Sequence, residues 1–360
     1  MNTLLVVVGV AGMFLLLIAP HEAGHFALAK LFKVRVIEFS IGAGTKLWST
    51  TRGGTLYALR AFPILGYVRM GGMDADDFDD PNGFHRKAAW QRILILAAGP
   101  AANFVVAMIC VAGLDMSLLG HDPGLVIRVV DGTPAARTGL VAGDHLKTVN
   151  GQPISQVFIR QLEDSAPGAP LTLTGVHADG RPFSYVVAPV CLKGNPCVIG
   201  LSTQRVQLLG QPEVRATLGS SIWDGVSWPF RTVAQIVGGL ADAATGRIPG
   251  GLLGPNGVTG PIGIADVAGQ AVTLGPDTYI QFVALLSVAL GFTNVLPLLA
   301  LDGGRIVVVL IEVVRRRPFN RTAELNFQRY GLVALLGIAA VISVLDVQRI
   351  VSGQFPGLSH

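Results

Sequence analysis

The side chains best suited to catalysis are His21, Glu22 and His25, which form the pattern H-E-x-x-H inside an otherwise apolar stretch. On a helix, positions 21 and 25 lie one turn apart on the same face, so two imidazole nitrogens can meet one metal ion. Glu22 is offset around the helix, toward a water bound to that ion, where a carboxylate acts as general base. The pattern indicates a zinc site. The alternative is a pair of histidines at the membrane surface that bind no metal.

Two histidines do not complete a catalytic zinc site, which normally has three protein ligands and one open position. Asp302 is the candidate third ligand, because this carboxylate stands at the end of an apolar stretch. Gly303 and Gly304 follow it and allow the backbone to approach closely. The alternative role is that of a capping residue for a short helix predicted over 305–314. The membrane topology predicted below favours the role of metal ligand for Asp302.

The elements that must position these residues are membrane spans. Of the 360 residues, 51% are apolar and only 14% are charged, and the mean hydropathy is +0.55. This composition excludes a disordered or fibrous chain, and because soluble domains carry about 25% charged residues, it favours a membrane protein over an ordinary soluble one. A net charge of +4 is too small to indicate a nucleic-acid partner. Long stretches with few charges predict four transmembrane helices, over 1–32, 92–115, 279–302 and 330–350.

The basic residues next to these spans predict their orientation. Residues 30–92 hold ten Lys and Arg and residues 303–329 hold six, whereas residues 115–278 have a net charge of −2. Positive loops stay in the cytoplasm, so both termini and the segment between the second and third spans are expected outside. The first and third spans then run in the same direction. They bring His21, His25 and Asp302 to a similar depth, near the cytoplasmic face.

Together these motifs resemble the site-2 protease family of intramembrane zinc metalloproteases, in its bacterial RseP-like branch. The resemblance covers nearly the whole chain. Four stretches carry it: H-E-x-G-H at 21–25, G-P-x-x-N at 99–103, G-P-x-G-I at 260–264 and N-x-x-P-x-P-x-L-D-G at 294–303. Leu299 departs from it by replacing the second proline of the last motif, and Ala289 replaces an asparagine that is frequent in that branch. No ligand and no base is lost through these departures.

The resemblance implies an activity and a site. His21, His25 and Asp302 are then ligands of Zn²⁺, and Glu22 is the general base. The implied substrate-binding residues are Asn294, Pro297, Gly42, Gly66 and Asn103. The implied substrate is a single-span membrane protein cut within or near the bilayer. Members of the family cut anti-sigma factors already cut by an outer-side protease, or remnants of signal peptides, and either fits this chain.

The resemblance also implies a location. The expected protein is multi-pass in the bacterial inner membrane, surrounded by the lipid bilayer and monomeric, with no nucleic-acid partner. An inactive membrane-anchored PDZ binding protein, whose zinc site is structural or lost, is the alternative. The intact base and ligands favour the enzyme.

The segments between the spans predict the remaining parts. Residues 33–91 form the cytoplasmic-side β-loop region, in which 55–70 is predicted to be a membrane-associated β-hairpin with an open edge for an extended substrate. A purely structural hairpin is the alternative. Residues 120–204 resemble a PDZ domain, which either binds substrate or only packs on the membrane part.

The predicted fold class is therefore a polytopic α-helical membrane protein with four transmembrane helices, a cytoplasmic-side β-hairpin and an extracytoplasmic α+β PDZ domain. An interfacial helix and a Gly/Pro-rich linker occupy 205–278, the latter over 249–263. A short helix and a basic loop occupy 303–329, and 351–360 is a tail.

Two smaller features have open interpretations. Cys191 and Cys197 lie on the predicted outer side and form either a disulfide or two free thiols. The aspartates between 74 and 80 lack the spacing of an EF-hand calcium loop, so we expect a solvated turn there.

Overall fold

The chain forms two compact units in the computed structural model, one of residues 1–112 with 224–360 and one of residues 113–223. The structure describes residues 3–73, 77–117, 124–154, 169–190, 198–203, 217–247, 251, 254 and 258–353. Cys191 and Cys197 lie outside these residues.

Among the described residues, four helices are long and apolar enough to cross a membrane. They are α1 (Thr3–Leu31), α2 (Ala89–Ser117), α5 (Pro276–Val295) and α7 (Arg321–Val351). They correspond to the four predicted spans. α7 begins before its predicted start, because its first turns are polar and do not register in a search for apolar stretches. Asn320 caps this beginning by accepting a hydrogen bond from the backbone N–H of Ala323 at 3.2 Å.

Three further helices lie wholly or mostly in the described residues of the first unit. They are α3 (Leu218–Ala244), α4 (Pro261–Leu274) and α6 (Asp302–Arg315). α3 falls where an interfacial helix was expected, and α6 where a short helix was expected. α4 was not predicted, since at fourteen residues it is too short to be recognised as a span. It packs on α1, where a Cβ atom added to Gly269 would lie only 3.3 Å from Val6.

The β-loop region is a hairpin of two long strands, β1 (Val36–Arg52) and β2 (Thr55–Met70). The prediction that 55–70 forms the whole hairpin was wrong, because this stretch is a single arm. The turn lies at Gly53 and Gly54, which have φ values of 57° and 74°. A two-residue hairpin turn with positive φ at both positions favours glycine, and this pair supplies it.

The strands of this hairpin are long enough to pair with each other more than once. Residues 38–41 pair with 66–69 on one side and with 56–59 on the other, while 48–52 pair with 55–59. The segment 66–69 therefore lies at an edge of the sheet. No other strand in the described part of the chain pairs with that edge.

The second unit is built mainly from β-strands in its described residues. One sheet has the order β5–β4–β6–β7, formed by Gln152–Pro153, His145–Val149, Leu171–Val176 and Pro182–Val187. A second pair joins β3 (Val126–Val129) and β8 (Leu201–Thr203). Its core includes Val149 and Leu173, both fully buried. The PDZ assignment stays a prediction.

The acidic turn makes ion pairs within the protein. Asp77 and Asp80 both pair with Arg35, and Asp79 pairs with Arg86. Asp80 also accepts a hydrogen bond from the backbone N–H of Asn82 at 2.9 Å, as in a tight turn. These contacts are those of a turn stabilised by arginines.

A buried carboxylate holds α4 against α7. Asp346 has no exposed surface, and its Oδ2 accepts hydrogen bonds of 2.9 Å from the backbone N–H groups of Gly260 and Gly263. These N–H groups lie at the beginning of α4, where backbone N–H groups have no acceptor within their own helix. The carboxylate also lies at the positive end of the helix dipole.

We therefore expect Asp346→Ala to lower the stability of the first unit. Two buried N–H groups lose their acceptor, at a cost of about 1–3 kcal/mol for each buried group left unsatisfied. Asp346→Asn keeps one acceptor oxygen, so its loss of stability should be smaller. The measurement is the thermal unfolding midpoint of the purified protein in detergent. The control is Asp242→Ala, which removes an exposed ion pair with Arg247 and should change stability by less than about 1 kcal/mol. Equal unfolding midpoints for Asp346→Ala and this control would contradict a stabilising role for the hydrogen bonds between Asp346 and α4.

Candidate metal centre

Three side chains from two distant parts of the chain meet at one point. His21 Nε2 and His25 Nε2 each lie 3.3 Å from Oδ2 of Asp302 and 3.2 Å from each other. These ligand atoms are within 4.8 Å of one another, close enough to share one metal ion. Two imidazoles and one carboxylate are a donor set found in catalytic zinc sites with an open position. The residues present therefore fit zinc.

This geometry disagrees with both alternatives, namely histidines at the membrane surface and a capping role for Asp302. The histidines are only 8% and 6% exposed, whereas side chains lying at a membrane surface would be in contact with solvent. Leu301, not Asp302, is the N-cap of α6, and that helix has no side-chain cap. Asp302 instead occupies the first position of the helix and directs Oδ2 toward the histidines.

Glycines after Asp302 let its loop fold tightly. α5 ends at Val295, and the chain turns before α6 begins. A Cβ atom on Gly303 would overlap the carbonyl oxygens of Val295 and Leu296, and one on Gly304 would overlap that of Leu298. Only glycine fits at both positions, so the second half of the L-D-G-G sequence sets how closely α6 returns to the end of α5.

α2 packs directly against the two histidines. A Cβ atom on Gly24 would overlap the carbonyl oxygen of Ala98, and one on Gly99 would lie 2.6 Å from His25 Cε1 and 2.8 Å from His21 Nε2. The glycines at 24 and 99 therefore let α1 and α2 meet at the site. The same stretch of α2 also orients His25, because the carbonyl oxygen of Ile95 accepts a hydrogen bond of 2.8 Å from His25 Nδ1.

A cluster of charged residues ties α6, which carries Asp302, to α2 and α7. Glu312 accepts hydrogen bonds from Arg92 at 2.6 Å, from Arg321 at 3.1 Å and from the backbone N–H of Phe319 at 2.7 Å. Burial disfavours the ionised form of Glu312, but the N–H of Phe319 and the guanidinium of Arg92 outweigh it and lower its pKa.

Nearby, burial and the charge of Arg321 lower the pKa of His85 to about 3, so this imidazole is neutral.

A cavity of about 680 Å³ opens beside the three candidate ligands. Glu22, which belongs to the H-E-x-x-H pattern, lines it. So does Arg305, one helical turn after Asp302 on α6, whose guanidinium donates a hydrogen bond of 2.9 Å to Gln328. Sequence reasoning did not single out Arg305, although its i+3 spacing from Asp302 was a signal. Most of the other lining side chains are apolar, among them Phe14, Leu17, Ile18, Leu65, Leu286 and Leu290.

The predicted substrate-binding residues fall in different places. Asn294 and Gly66 line the cavity, whereas Pro297 and Gly42 do not. Asn294 donates a hydrogen bond of 3.0 Å to the carbonyl oxygen of Leu290. Asn103 is fully buried behind His21, and its Nδ2 lies 3.3 Å from His21 Nδ1.

Gly66 brings the edge of the hairpin against the cavity. A Cβ atom at this position would lie 2.7 Å from Ile18 and 2.9 Å from Cγ of Glu22. The sheet edge at 66–69 therefore borders the side chain predicted to act as general base.

The chain is similar to known proteins over most of its length. The model of peptidase family M50 matches residues 9–338. A provisionally named zinc metalloprotease of Clostridium perfringens is 33% identical over 342 residues, covering 93% of this chain and 96% of that protein. The zinc metalloprotease RasP of Bacillus licheniformis is 26% identical over 433 residues, covering 97% of this chain and all of that protein. The extent of the family match and the first of these identities lead to one conclusion: the chain belongs to peptidase family M50, the site-2 protease family.

Proposed function

We propose that this protein is an intramembrane zinc metalloendopeptidase that cuts a single-span membrane protein within or near the bilayer. The observation that carries the proposal is the meeting of His21, His25 and Asp302 beside Glu22 on the wall of an apolar cavity. In this assignment the two histidines and Asp302 hold zinc. The zinc metalloproteases among its relatives support that metal.

The reaction is hydrolysis of a peptide bond. Zinc, when bound, supplies a Lewis acid that lowers the pKa of water and polarises the scissile carbonyl. Glu22 takes the proton from the attacking water and returns it to the leaving amine. Asp302 and the histidines hold the metal, and the apolar wall around them limits the access of bulk water.

The cavity and the sheet edge beside it favour an extended apolar substrate. A peptide bond inside a helix is shielded by its own hydrogen bonds, so the substrate must unwind before attack. The sheet edge at 66–68 offers backbone hydrogen bonds to such a strand, because no other strand in the described residues pairs with it. The apolar side chains lining the cavity suit residues from a membrane span.

The four apolar helices and the match to family M50 support a location in the bacterial inner membrane, and the charge distribution supports an orientation there. The basic segments 30–92 and 303–329 are assigned to the cytoplasm, and both termini to the outside. The second unit is then assigned as an extracytoplasmic PDZ domain that binds substrate. The bilayer and a single-span substrate are the partners in this assignment, and the protein acts as a monomer.

An inactive, membrane-anchored binding protein is less well supported. A structural zinc site is usually closed by four protein ligands and has no use for a general base. In the described part of the chain the cluster has three metal-binding side chains, and Glu22 stands next to them. This arrangement favours catalysis.

Replacing Glu22 by Gln tests the mechanism. The amide cannot accept the proton, so cleavage of a co-expressed single-span substrate should fall by about 10²- to 10⁴-fold. The ligands are intact, so the purified protein should still hold one zinc ion per chain by metal analysis. His25→Ala should lose both zinc and activity. Glu324→Gln, a glutamate on α7 away from the cavity lining, is the matched control and should keep both. Cleavage by Glu22→Gln at the wild-type rate would rule out the proposed base.

Replacing Gly66 by Ala tests the position of Glu22 against the sheet edge. The added methyl group would meet Cγ of Glu22 and Ile18, so the carboxylate or the edge must move. A displacement of about 1 Å in a catalytic group can reduce the rate on the order of 100-fold. Zinc content should not change. Gly337→Ala on α7 adds the same group where no atom lies within 4 Å and should be fully active. If Gly66→Ala cleaved substrate as fast as this control, the close contact would have no role in catalysis.

A further inference from the structure

The two ring nitrogens of each histidine have different surroundings, and these decide which nitrogen can bind a metal. His25 Nδ1 faces the carbonyl oxygen of Ile95 at 2.8 Å. A carbonyl only accepts hydrogen bonds, so Nδ1 of His25 carries the proton and Nε2 offers its lone pair to the metal. His21 also turns Nε2 toward the metal position, so its Nδ1 must carry a proton as well. That proton needs an acceptor.

The group facing His21 Nδ1 is the carboxamide of Asn103. Its nitrogen lies 3.3 Å from Nδ1, while its oxygen is buried and has no hydrogen-bond partner in the part of the chain that the structure describes. The oxygen and nitrogen of a carboxamide occupy nearly the same space, so hydrogen bonding decides which way the group is turned. A protonated Nδ1 facing an NH₂ group is a contact between two donors. Turning the amide over replaces it with an N–H to oxygen hydrogen bond.

Asn103 is held firmly enough to serve as such an acceptor. Its side chain is fully buried, and its backbone carbonyl accepts a hydrogen bond of 2.9 Å from Oγ of Ser287 on α5. The two helices are close here, because a Cβ atom on Gly291 would lie 3.0 Å from the carbonyl oxygen of Pro100. α5 therefore fixes the turn of α2 that presents Asn103 to His21.

We propose that Asn103 is a positioning residue of the metal centre. Its carboxamide oxygen accepts the Nδ1–H of His21, which fixes the tautomer and the ring orientation so that Nε2 binds the metal. The proposal rests on the proposed zinc site. It assigns Asn103 a role toward the metal, whereas the family resemblance placed this residue among those that bind substrate.

The test compares zinc affinity in two variants of similar size. Asn103→Asp keeps an acceptor oxygen at the same place, and Asn103→Leu removes it. Loss of a group that orients a metal ligand typically weakens metal affinity by about 10- to 100-fold. We expect that loss for Asn103→Leu and at most a few-fold change for Asn103→Asp. The measurement is competition for zinc between the full-length protein in detergent and a chelator of known affinity. Gln281→Leu, which removes another largely buried amide, on α5, is the matched control and should bind zinc like the wild type.

A purely structural role for Asn103 predicts the opposite order. Leucine is then the tolerated replacement in a buried apolar contact, and the charge of aspartate is the damaging one. Zinc binding by Asn103→Leu equal to the wild type, or weaker binding by Asn103→Asp than by Asn103→Leu, would overturn the proposal.

A measurement on the wild type covers the case in which neither variant folds. In the zinc-loaded protein labelled with ¹⁵N-histidine, the resonance of His21 should show Nδ1 protonated and Nε2 bound to metal. A proton on Nε2, or metal on Nδ1, would overturn the proposal. Failure of the proposed function has a different signature, since a wild-type protein that binds no zinc would remove the site itself.

Discussion

The structure depends on bringing two imidazoles and one carboxylate into contact inside an apolar helical assembly. Each of these groups is costly to bury alone, because it leaves water without gaining a partner of equal strength. Around one cation they become mutually compatible, since the carboxylate balances part of the charge and the imidazoles supply lone pairs. This requirement explains why the two histidines, His21 and His25, meet Asp302 although most of the chain separates them from it. It also explains why the helices that carry them must pack so closely.

Close packing at the site is achieved mainly by glycine. Gly24 and Gly99 let α1 and α2 touch beside the histidines, Gly303 and Gly304 let α6 fold back on the end of α5, and Gly66 lets the hairpin reach Glu22. Each of these positions lacks room for a methyl group. Such contacts fix Glu22 and the three candidate ligands relative to one another, and they leave the cavity beside Glu22 open.

Buried polar contacts farther from the metal hold the same frame in place. Glu312 joins α6 to Arg92 at the start of α2, and Asp346 fastens α4 to α7. In both cases a buried carboxylate accepts at least two hydrogen bonds, so removing it leaves buried donors without an acceptor. Asn103 extends this principle to the metal ligand itself, because a side chain on α2 and a hydroxyl on α5 together orient the ring of His21.

The sequence alone determined the parts that depend on local spacing. A four-residue interval between His21 and His25 places both on one helical face, and long apolar stretches identify the four helices that are long and apolar enough to cross a membrane. Asp302 could be predicted as a site residue because a carboxylate at the end of an apolar stretch is energetically costly unless it has a function. These features follow from helical periodicity and hydrophobicity, which act between residues close in the chain.

Tertiary structure alone decided the contacts between residues far apart. The hairpin turn lies at Gly53 and Gly54 because β2 finds its partner in β1 rather than within itself. No periodic pattern in the sequence indicates that α4 packs on α1 or that Asn103 lies behind His21. Both contacts depend on which helices pack together and at which helical turn they meet. Because that outcome depends on the shape of many side chains at once, it cannot be read from the order of the residues.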